Sequence, residues 1–81
     1  MPEIRQRLTH CFASIFPNLS DDEIQSASHT SVANWDSLVT ITLISVVEEE
    51  FNVSIPLEDF DNMVSFEQVL DRVWRRIENA S

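Results

Sequence analysis

Apolar residues recur at helical spacing in three separate segments of this chain. Within each segment they return every three or four positions, which is the spacing of a helix that buries one face. The pattern predicts helices over about 2–16, 37–51 and 65–78. The series are Ile4, Leu8, Cys11, Phe12, Ile15 and Phe16, then Thr40, Leu43, Ile44, Val47 and Phe51, then Phe66, Val69, Leu70, Val73, Trp74 and Ile77. The predicted fold class is therefore all-α: a small bundle of three long helices plus one or two short helices.

Residues that cap helices support these boundaries. Ser20 with Glu23, and Ser65 with Gln68, match the capping box, in which two residues three positions apart bond each other's backbone N–H groups. The first pair predicts a short helical turn in an otherwise polar loop. The second pair predicts the start of the last helix.

A further short helix is predicted over about 56–61, because Pro56 suits the first turn of a helix. The chain contains no glycine. Asparagine is the next residue that tolerates a left-handed backbone, so Asn18, Asn52 and Asn62 are predicted to close helices.

The composition fits a single domain over residues 1–81, of which 43% are hydrophobic. Cys11 is the only cysteine, which excludes an internal disulfide and suits a reducing compartment. His10 and His29 lack companions at metal-ligand spacing, so no metal is expected. The sequence shows neither a leader nor an apolar run near the ~20 residues of a membrane span, so we expect a cytoplasmic protein. We also expect a monomer.

Charge narrows the possible partners. The chain has 14 acidic and 5 basic residues, for a formal net charge of −9, and no Lys or Arg lies between Leu8 and Asp71. Nucleic acid and anionic membranes require cationic patches, so neither is an expected partner. The charge favours a basic protein partner, although acidity is also a common means of staying soluble.

Candidate chemistry lies in Trp35-Asp36-Ser37-Leu38, where a loop meets the second long helix. The first N–H groups of a helix are unpaired and its dipole is positive there, so a phosphate on the Ser37 hydroxyl would be stabilised. Taken alone, Ser37 is also an ordinary residue for a helix start. Asp36 is predicted to be the N-cap.

The same helix ends with Glu48, Glu49 and Glu50. Acids at the negative end of a helix dipole cost about 0.3–1 kcal/mol each when unscreened. A local rule broken without compensation often indicates function. A merely solvated acidic turn is the alternative.

Taken together, Asp36-Ser37-Leu38, Glu48-Glu49-Glu50-Phe51 and Ile55-Pro56 resemble the acyl carrier protein family. The resemblance covers nearly the whole chain and is strongest from Trp35 to Val73. It implies that a phosphopantetheinyl transferase moves 4′-phosphopantetheine from coenzyme A onto Ser37. The thiol of that arm would then hold acyl intermediates as thioesters. The resemblance also implies that this free-standing carrier catalyses nothing itself, so no catalytic residue is assigned.

Partner contacts are likewise implied by the resemblance. The expected partners are the transferase and acyl-loading ligases, synthases or transferases with basic docking surfaces. Asp36 would help the transferase recognise its site, and Ile55 and Met63 match positions near the arm and acyl chain. The residues assigned to partner recognition are Asp36, Leu38, Val39, Ile41, Thr42, Glu48, Glu49, Ile55 and Met63.

Some residues depart from the family pattern. Val39, Thr42 and Leu57 stand where carriers of fatty acid synthesis often place acids, and Trp35 replaces a small residue. A more apolar recognition face favours a dedicated biosynthetic pathway, such as a specialised metabolite or surface polymer. Phe60 replaces a small residue near the expected acyl pocket, which weakens the case for deep burial of a long chain.

Two other functions remain open from the sequence. An aminoacyl or peptidyl carrier would use the same arm on Ser37, and an unmodified acidic module would only bind partners. An enzyme is the weakest interpretation, because Ser37, Asp36 and a distant histidine do not form a triad and no glycine is present for a nucleophile elbow.

Overall fold

A computed structural model of the protein describes residues 2–32 and 34–80. These residues form four α-helices and one 3₁₀ helix, and they contain no strand beyond an isolated bridge between Ser28 and Ser65. The elements are α1 (Pro2–Ile15), α2 (Asp21–Gln25), α3 (Ser37–Phe51), the 3₁₀ helix (Leu57–Asn62) and α4 (Phe66–Ala80). The predicted all-α bundle is confirmed.

The core lies where α1, α3 and α4 meet. Leu8 and Phe12 of α1, Leu43 of α3, and Phe66 and Val69 of α4 are fully buried. Each side chain of this size contributes about 1.5–3 kcal/mol when it leaves water. Burial of these periodic apolar faces is thus the main contribution that holds α3 in the bundle.

α3 has the predicted bounds, and the bounds of the other predicted helices differ by one or two residues. α1 ends at Ile15, since Pro17 prevents its continuation, although the Phe16 N–H still bonds the Phe12 carbonyl at 2.7 Å. The helix after Pro56 is of the 3₁₀ type and begins one residue later, at Leu57. α4 begins at Phe66, one residue later than predicted, because Ser65 precedes the helix and caps it.

Both predicted capping serines act as caps. Ser20 and Glu23 form the full reciprocal capping box, and the backbone and side-chain hydrogen bonds from Ser20 lower the pKa of Glu23. Ser65 Oγ accepts from the Gln68 N–H at 3.2 Å, but Gln68 Oε1 accepts from the Val64 N–H, one residue earlier than expected.

Only one asparagine closes a helix in the predicted way. Asn52 has a left-handed backbone, with φ of 54°, and its N–H bonds the Glu48 carbonyl. The prediction was wrong for Asn18 and Asn62, because Asn52 is the only described residue with positive φ. Pro17 already ends α1, and Asn62 lies inside the 3₁₀ helix.

Candidate functional site

Ser37 is the first residue of α3, and its side chain is exposed. Within residues 2–32 and 34–80, the Ser37 hydroxyl has no hydrogen-bond partner, and the N–H groups of Ser37 and Leu38 have no acceptor. The hydroxyl is therefore accessible, and two backbone donors beside it remain available for an anion.

Asp36 is the N-cap of α3, as predicted from the sequence. Its backbone is extended, and its Oδ1 accepts from the Val39 N–H at 2.9 Å. Its carbonyl accepts from the Thr40 N–H at 2.9 Å. These bonds define where the helix begins and leave Ser37 in its first turn.

Trp35 lies in the core rather than on the recognition face. It is 4% exposed, and its ring packs 5.5 Å from Phe12 and 5.6 Å from Phe16, measured between centroids. Its indole N–H donates to Thr40 Oγ1 at 2.8 Å. The expected contribution of Trp35 to an apolar surface is therefore wrong. Its place in a loop without periodicity gave no signal of burial.

A groove with a volume of about 800 Å³ opens beside Ser37. One wall comes from the start of α3, and the opposite wall comes from the 3₁₀ helix. The loop that carries His29 closes one end, where the His29 N–H donates to the Val64 carbonyl at 2.8 Å. The lining residues are His29, Trp35, Asp36, Ser37, Thr40, Ile41, Leu57, Glu58, Phe60, Asp61 and Val64.

Large apolar side chains project into solvent around this groove. Leu38 is 74% exposed, Ile41 48% and Leu57 76%. Thr42 is also exposed, whereas Val39 is half-buried against the core. We call Leu38, Ile41 and Leu57 the apolar patch. Leu57 was absent from the predicted contact residues, although an apolar residue where relatives carry an acid was a usable signal.

The acidic end of α3 is largely compensated, contrary to the sequence argument. Glu48 Oε2 accepts from the Ile55 N–H at 2.8 Å. Glu50 binds Arg7, whose Nε lies 2.9 Å from its carboxylate. Glu49 is exposed, and it is the only one of the three whose carboxylate has no hydrogen-bond or ion-pair partner among the described residues. Of these three acids, only Glu49 therefore lies at the negative end of the helix dipole without a compensating contact, which keeps it a candidate for partner recognition.

Ile55 and Met63 lie in the core instead of on a contact surface. Ile55 is 6% exposed and Met63 is 0% exposed. The assignment of these two as partner contacts is at odds with the structure, because a docking protein cannot reach them in this conformation. A place near the arm or acyl chain stays a prediction for both.

The thiol of Cys11 is 5% exposed, and burial, reinforced by the nearby Glu50 carboxylate, raises its pKa to about 11. The thiol lies in the core, as its place in the apolar series predicted, and burial disfavours the reactive thiolate. His10 and His29 are exposed, and no cluster of metal-binding side chains occurs among the described residues.

The residues at Ser37 fit a phosphopantetheine group. At the positive end of a 15-residue helix, the Ser37 hydroxyl stands beside two N–H groups, and none of the three has a partner among the described residues. A phosphodiester there gains hydrogen bonds and a favourable dipole. The adjacent groove is open and large enough to take an extended chain.

Comparisons with known proteins agree with this geometry. The family described as phosphopantetheine attachment site matches residues 6–73, which include Ser37 and the groove. The acyl carrier protein of Thermosynechococcus vestitus (strain NIES-2133 / IAM M-273 / BP-1) is 35% identical to this chain over 54 residues, which is 67% of each chain.

No helix among the described residues has both the length and the apolar character needed to traverse a lipid bilayer. Carrier proteins of this kind hold a covalently attached 4′-phosphopantetheine, are not themselves catalysts, and interact with transferases and synthases. Because the family match spans most of its residues, the chain belongs to the acyl carrier protein family, whose members bear a phosphopantetheine attachment site.

Proposed function

We propose that Ser37 is the attachment point of the arm and that the chain carries acyl groups for a dedicated biosynthetic pathway. The observation that carries this proposal is the exposed, unbonded Ser37 hydroxyl at the start of α3, beside the groove. Ser37 lies within the matched region, and a phosphate ester on it would meet helical N–H groups that have no acceptor in the described part of the chain.

Ser37 acts as an acceptor and not as the nucleophile of an enzyme. No described side chain hydrogen bonds its hydroxyl, so the base that activates it is supplied by the transferase. The N–H groups of Ser37 and Leu38 then stabilise the phosphodiester. When bound, the arm supplies a terminal thiol that holds acyl groups as thioesters.

The groove favours a cargo held near the surface. Phe60 is half-buried in its wall, and Met63 and Ile55 are buried in the core. These side chains occupy volume that a long buried chain would need. The open groove therefore supports short or polar acyl groups over long aliphatic ones.

A dedicated pathway is supported by the apolar patch. Leu38, Ile41 and Leu57 present a hydrophobic surface beside Ser37. A partner that fits it needs a complementary apolar surface, with a basic residue placed for Glu49. Partners selected for a strongly anionic helix would gain less from this face.

Intact mass spectrometry tests the attachment site. The apo protein, incubated with coenzyme A and a broad-specificity phosphopantetheinyl transferase, should gain the mass of one arm, and Ser37→Ala should gain none. Ser45→Ala is the matched control, because Ser45 is an exposed serine on the same helix whose hydroxyl bonds the Ile41 carbonyl at 3.1 Å. A wild-type protein that stays unmodified would support the unmodified acidic module instead. A gain that persists in Ser37→Ala would move the site elsewhere.

An aminoacyl carrier is the second candidate. Asp36, Glu58 and Asp61 line the groove, and no Lys or Arg is among its lining residues. An ammonium group on the cargo would be attracted and a carboxylate repelled. The mass of the cargo on protein purified from its native host distinguishes an aminoacyl group from a simple acyl group.

A further inference from the structure

One buried hydroxyl connects the backbone before Ser37 to the first turn of α3. Thr40 is 8% exposed, and its Oγ1 lies 2.8 Å from Trp35 Nε1 and 3.0 Å from the Asp36 carbonyl oxygen. An indole N–H can only donate, so the Thr40 oxygen accepts from Trp35. The single hydroxyl proton is then free to be donated to Asp36. We call this arrangement the Trp35–Thr40–Asp36 latch.

The latch is anchored in the core. Trp35 packs against Phe12 of α1 and against Phe16, the residue that follows α1, in an edge contact with Phe12 and a tilted contact with Phe16. The backbone N–H of Trp35 donates to the Val32 carbonyl at 3.1 Å. Packing on these rings fixes the position of the indole, and the hydrogen bond from the indole to Thr40 restrains the start of α3 relative to it.

The latch restrains a part of the helix that would otherwise fray. The first turn of a helix has no preceding turn to hold it, and the segment before it is an irregular loop. If Thr40 released Trp35, the buried indole N–H would lose its acceptor, which is unfavourable in a dry environment. Opening the helix start therefore costs free energy, and Asp36 and Ser37 stay in place.

We propose that Trp35 and Thr40 are positioning residues for loading of the arm, because the latch holds Ser37 in the conformation that the transferase binds. This inference rests on the proposed function of Ser37. A substrate whose competent conformer is only partly populated binds more weakly in proportion to that fraction. Loss of the latch should then raise the KM of the transferase for the apo carrier and leave kcat nearly unchanged.

Substitutions at Thr40 separate the hydroxyl from the volume of the side chain. Thr40→Val keeps the shape and removes both bonds, so the opening equilibrium of the helix start should shift roughly fivefold, the factor that corresponds to one net hydrogen bond, and KM should rise by up to that factor. Thr40→Ser keeps the hydroxyl and should stay within about twofold of wild type on the same scale. Trp35→Phe removes the donor together with part of the buried ring, leaves the Thr40–Asp36 bond in place, and should show an intermediate increase. In the double variant Thr40→Val/Trp35→Phe the increase should be smaller than the product of the two single increases.

Thr9→Val is the matched control. Thr9 is a buried threonine, 3% exposed, whose hydroxyl bonds the Arg5 carbonyl at 2.8 Å on α1. It loses a similar bond away from Ser37, so its KM should equal that of wild type. The proposal is overturned if Thr40→Val and Thr9→Val have the same KM, or if Thr40→Ser is as impaired as Thr40→Val.

Hydrogen exchange of the two tryptophan indoles tests the latch in the wild-type apo protein, without any substitution or loading. The Trp35 indole N–H should exchange much more slowly than that of Trp74, which is half-buried and has no acceptor among the described residues. Equal exchange rates would show that the latch is open in solution and would overturn the inference. If exchange is slow but wild type never gains the arm, the proposed function fails, and with it the role of the latch in loading.

Discussion

Arg7 of α1 binds Glu50 at the end of α3 through two hydrogen bonds. Its Nε donates to the Glu50 carboxylate at 2.9 Å, and its Nη2 donates to the Glu50 backbone carbonyl at 2.7 Å. The guanidinium also lies 4.6 Å from the centre of the Phe51 ring. One cation thus satisfies an unpaired carbonyl, offsets an acid and covers an aromatic face where the helix dipole is negative.

Replacing Arg7 should weaken the protein more than replacing a simple surface ion pair. Arg7→Met should lower the free energy of unfolding by about 1–2 kcal/mol, since it removes a carbonyl bond and a cation–π contact as well as a partly screened charge pair. Arg75→Met is the control, because its 3.0 Å pair with Asp71 is an exposed contact within α4. That change should cost no more than ~0.5 kcal/mol. Equal losses in urea unfolding would show that the Arg7 contacts add nothing beyond charge.

Two roles of Asp36 can be separated by chemistry. Asp36→Asn keeps an oxygen that caps the Val39 N–H, whereas Asp36→Ala removes it. Asp36→Ala should lose about 1 kcal/mol of stability and Asp36→Asn only a few tenths. If the transferase reads the charge of Asp36, which the family resemblance implies is part of its recognition site, both variants should lower kcat/KM for arm transfer. Normal transfer to Asp36→Asn would leave Asp36 with a capping role alone.

Adjacent acids on α3 should behave differently. Glu48→Ala removes the acceptor of the Ile55 N–H and should lower the free energy of unfolding by about 1 kcal/mol. Glu49→Ala touches no described partner and should change stability by less than ~0.5 kcal/mol. Its effect should be confined to KM for a partner with a basic surface, and that effect should shrink at high salt. A stability loss in Glu49→Ala as large as that in Glu48→Ala would contradict these assignments.

Local patterns predicted the helices and their caps at Ser20, Asp36, Asn52 and Ser65. Leu8, Leu43 and Val69 each belong to a series of apolar residues that recurs with the period of a helix. Their burial follows from that period alone. Ser20 and Ser65 act through residues three positions away, so their bonds are visible in a short stretch of sequence. The position of Ser37 at a helix start follows from the same local reasoning.

Contacts between distant residues could not be predicted in this way. Arg7 and Glu50 are 43 positions apart, and only the packing of α1 on α3 brings them together. Trp35 lies in a loop, where no periodicity indicates which side chains turn inward. Ile55 lies in the connection between α3 and the 3₁₀ helix, and Met63 lies between the 3₁₀ helix and α4, so their burial depends on the path of the chain around the core.

The buried thiol of Cys11 should make stability depend on alkaline pH. Its pKa is raised from an ordinary value of 9.0 to about 11 in the folded protein. Above pH 9 the unfolded chain therefore releases this proton while the folded chain keeps it, so stability is full below pH 9 and falls as pH rises to about 11. Urea unfolding at pH 8 and pH 10.5 measures this decline. Cys11→Ala should show a smaller decline, and an identical decline would assign it to other groups.

Leu57 and Leu38 should matter for docking but not for folding. Both are about three-quarters exposed, so Leu57→Ala and Leu38→Ala should change the free energy of unfolding by less than ~0.5 kcal/mol. If the apolar patch is covered by the transferase, each change should raise its KM by roughly fivefold, corresponding to about 1 kcal/mol for a leucine buried at an interface. His10→Ala, an exposed change on α1 outside the groove, should leave KM unaltered. An unchanged KM in both leucine variants would remove the patch from transferase recognition, because burial of either side chain against a partner must contribute to binding.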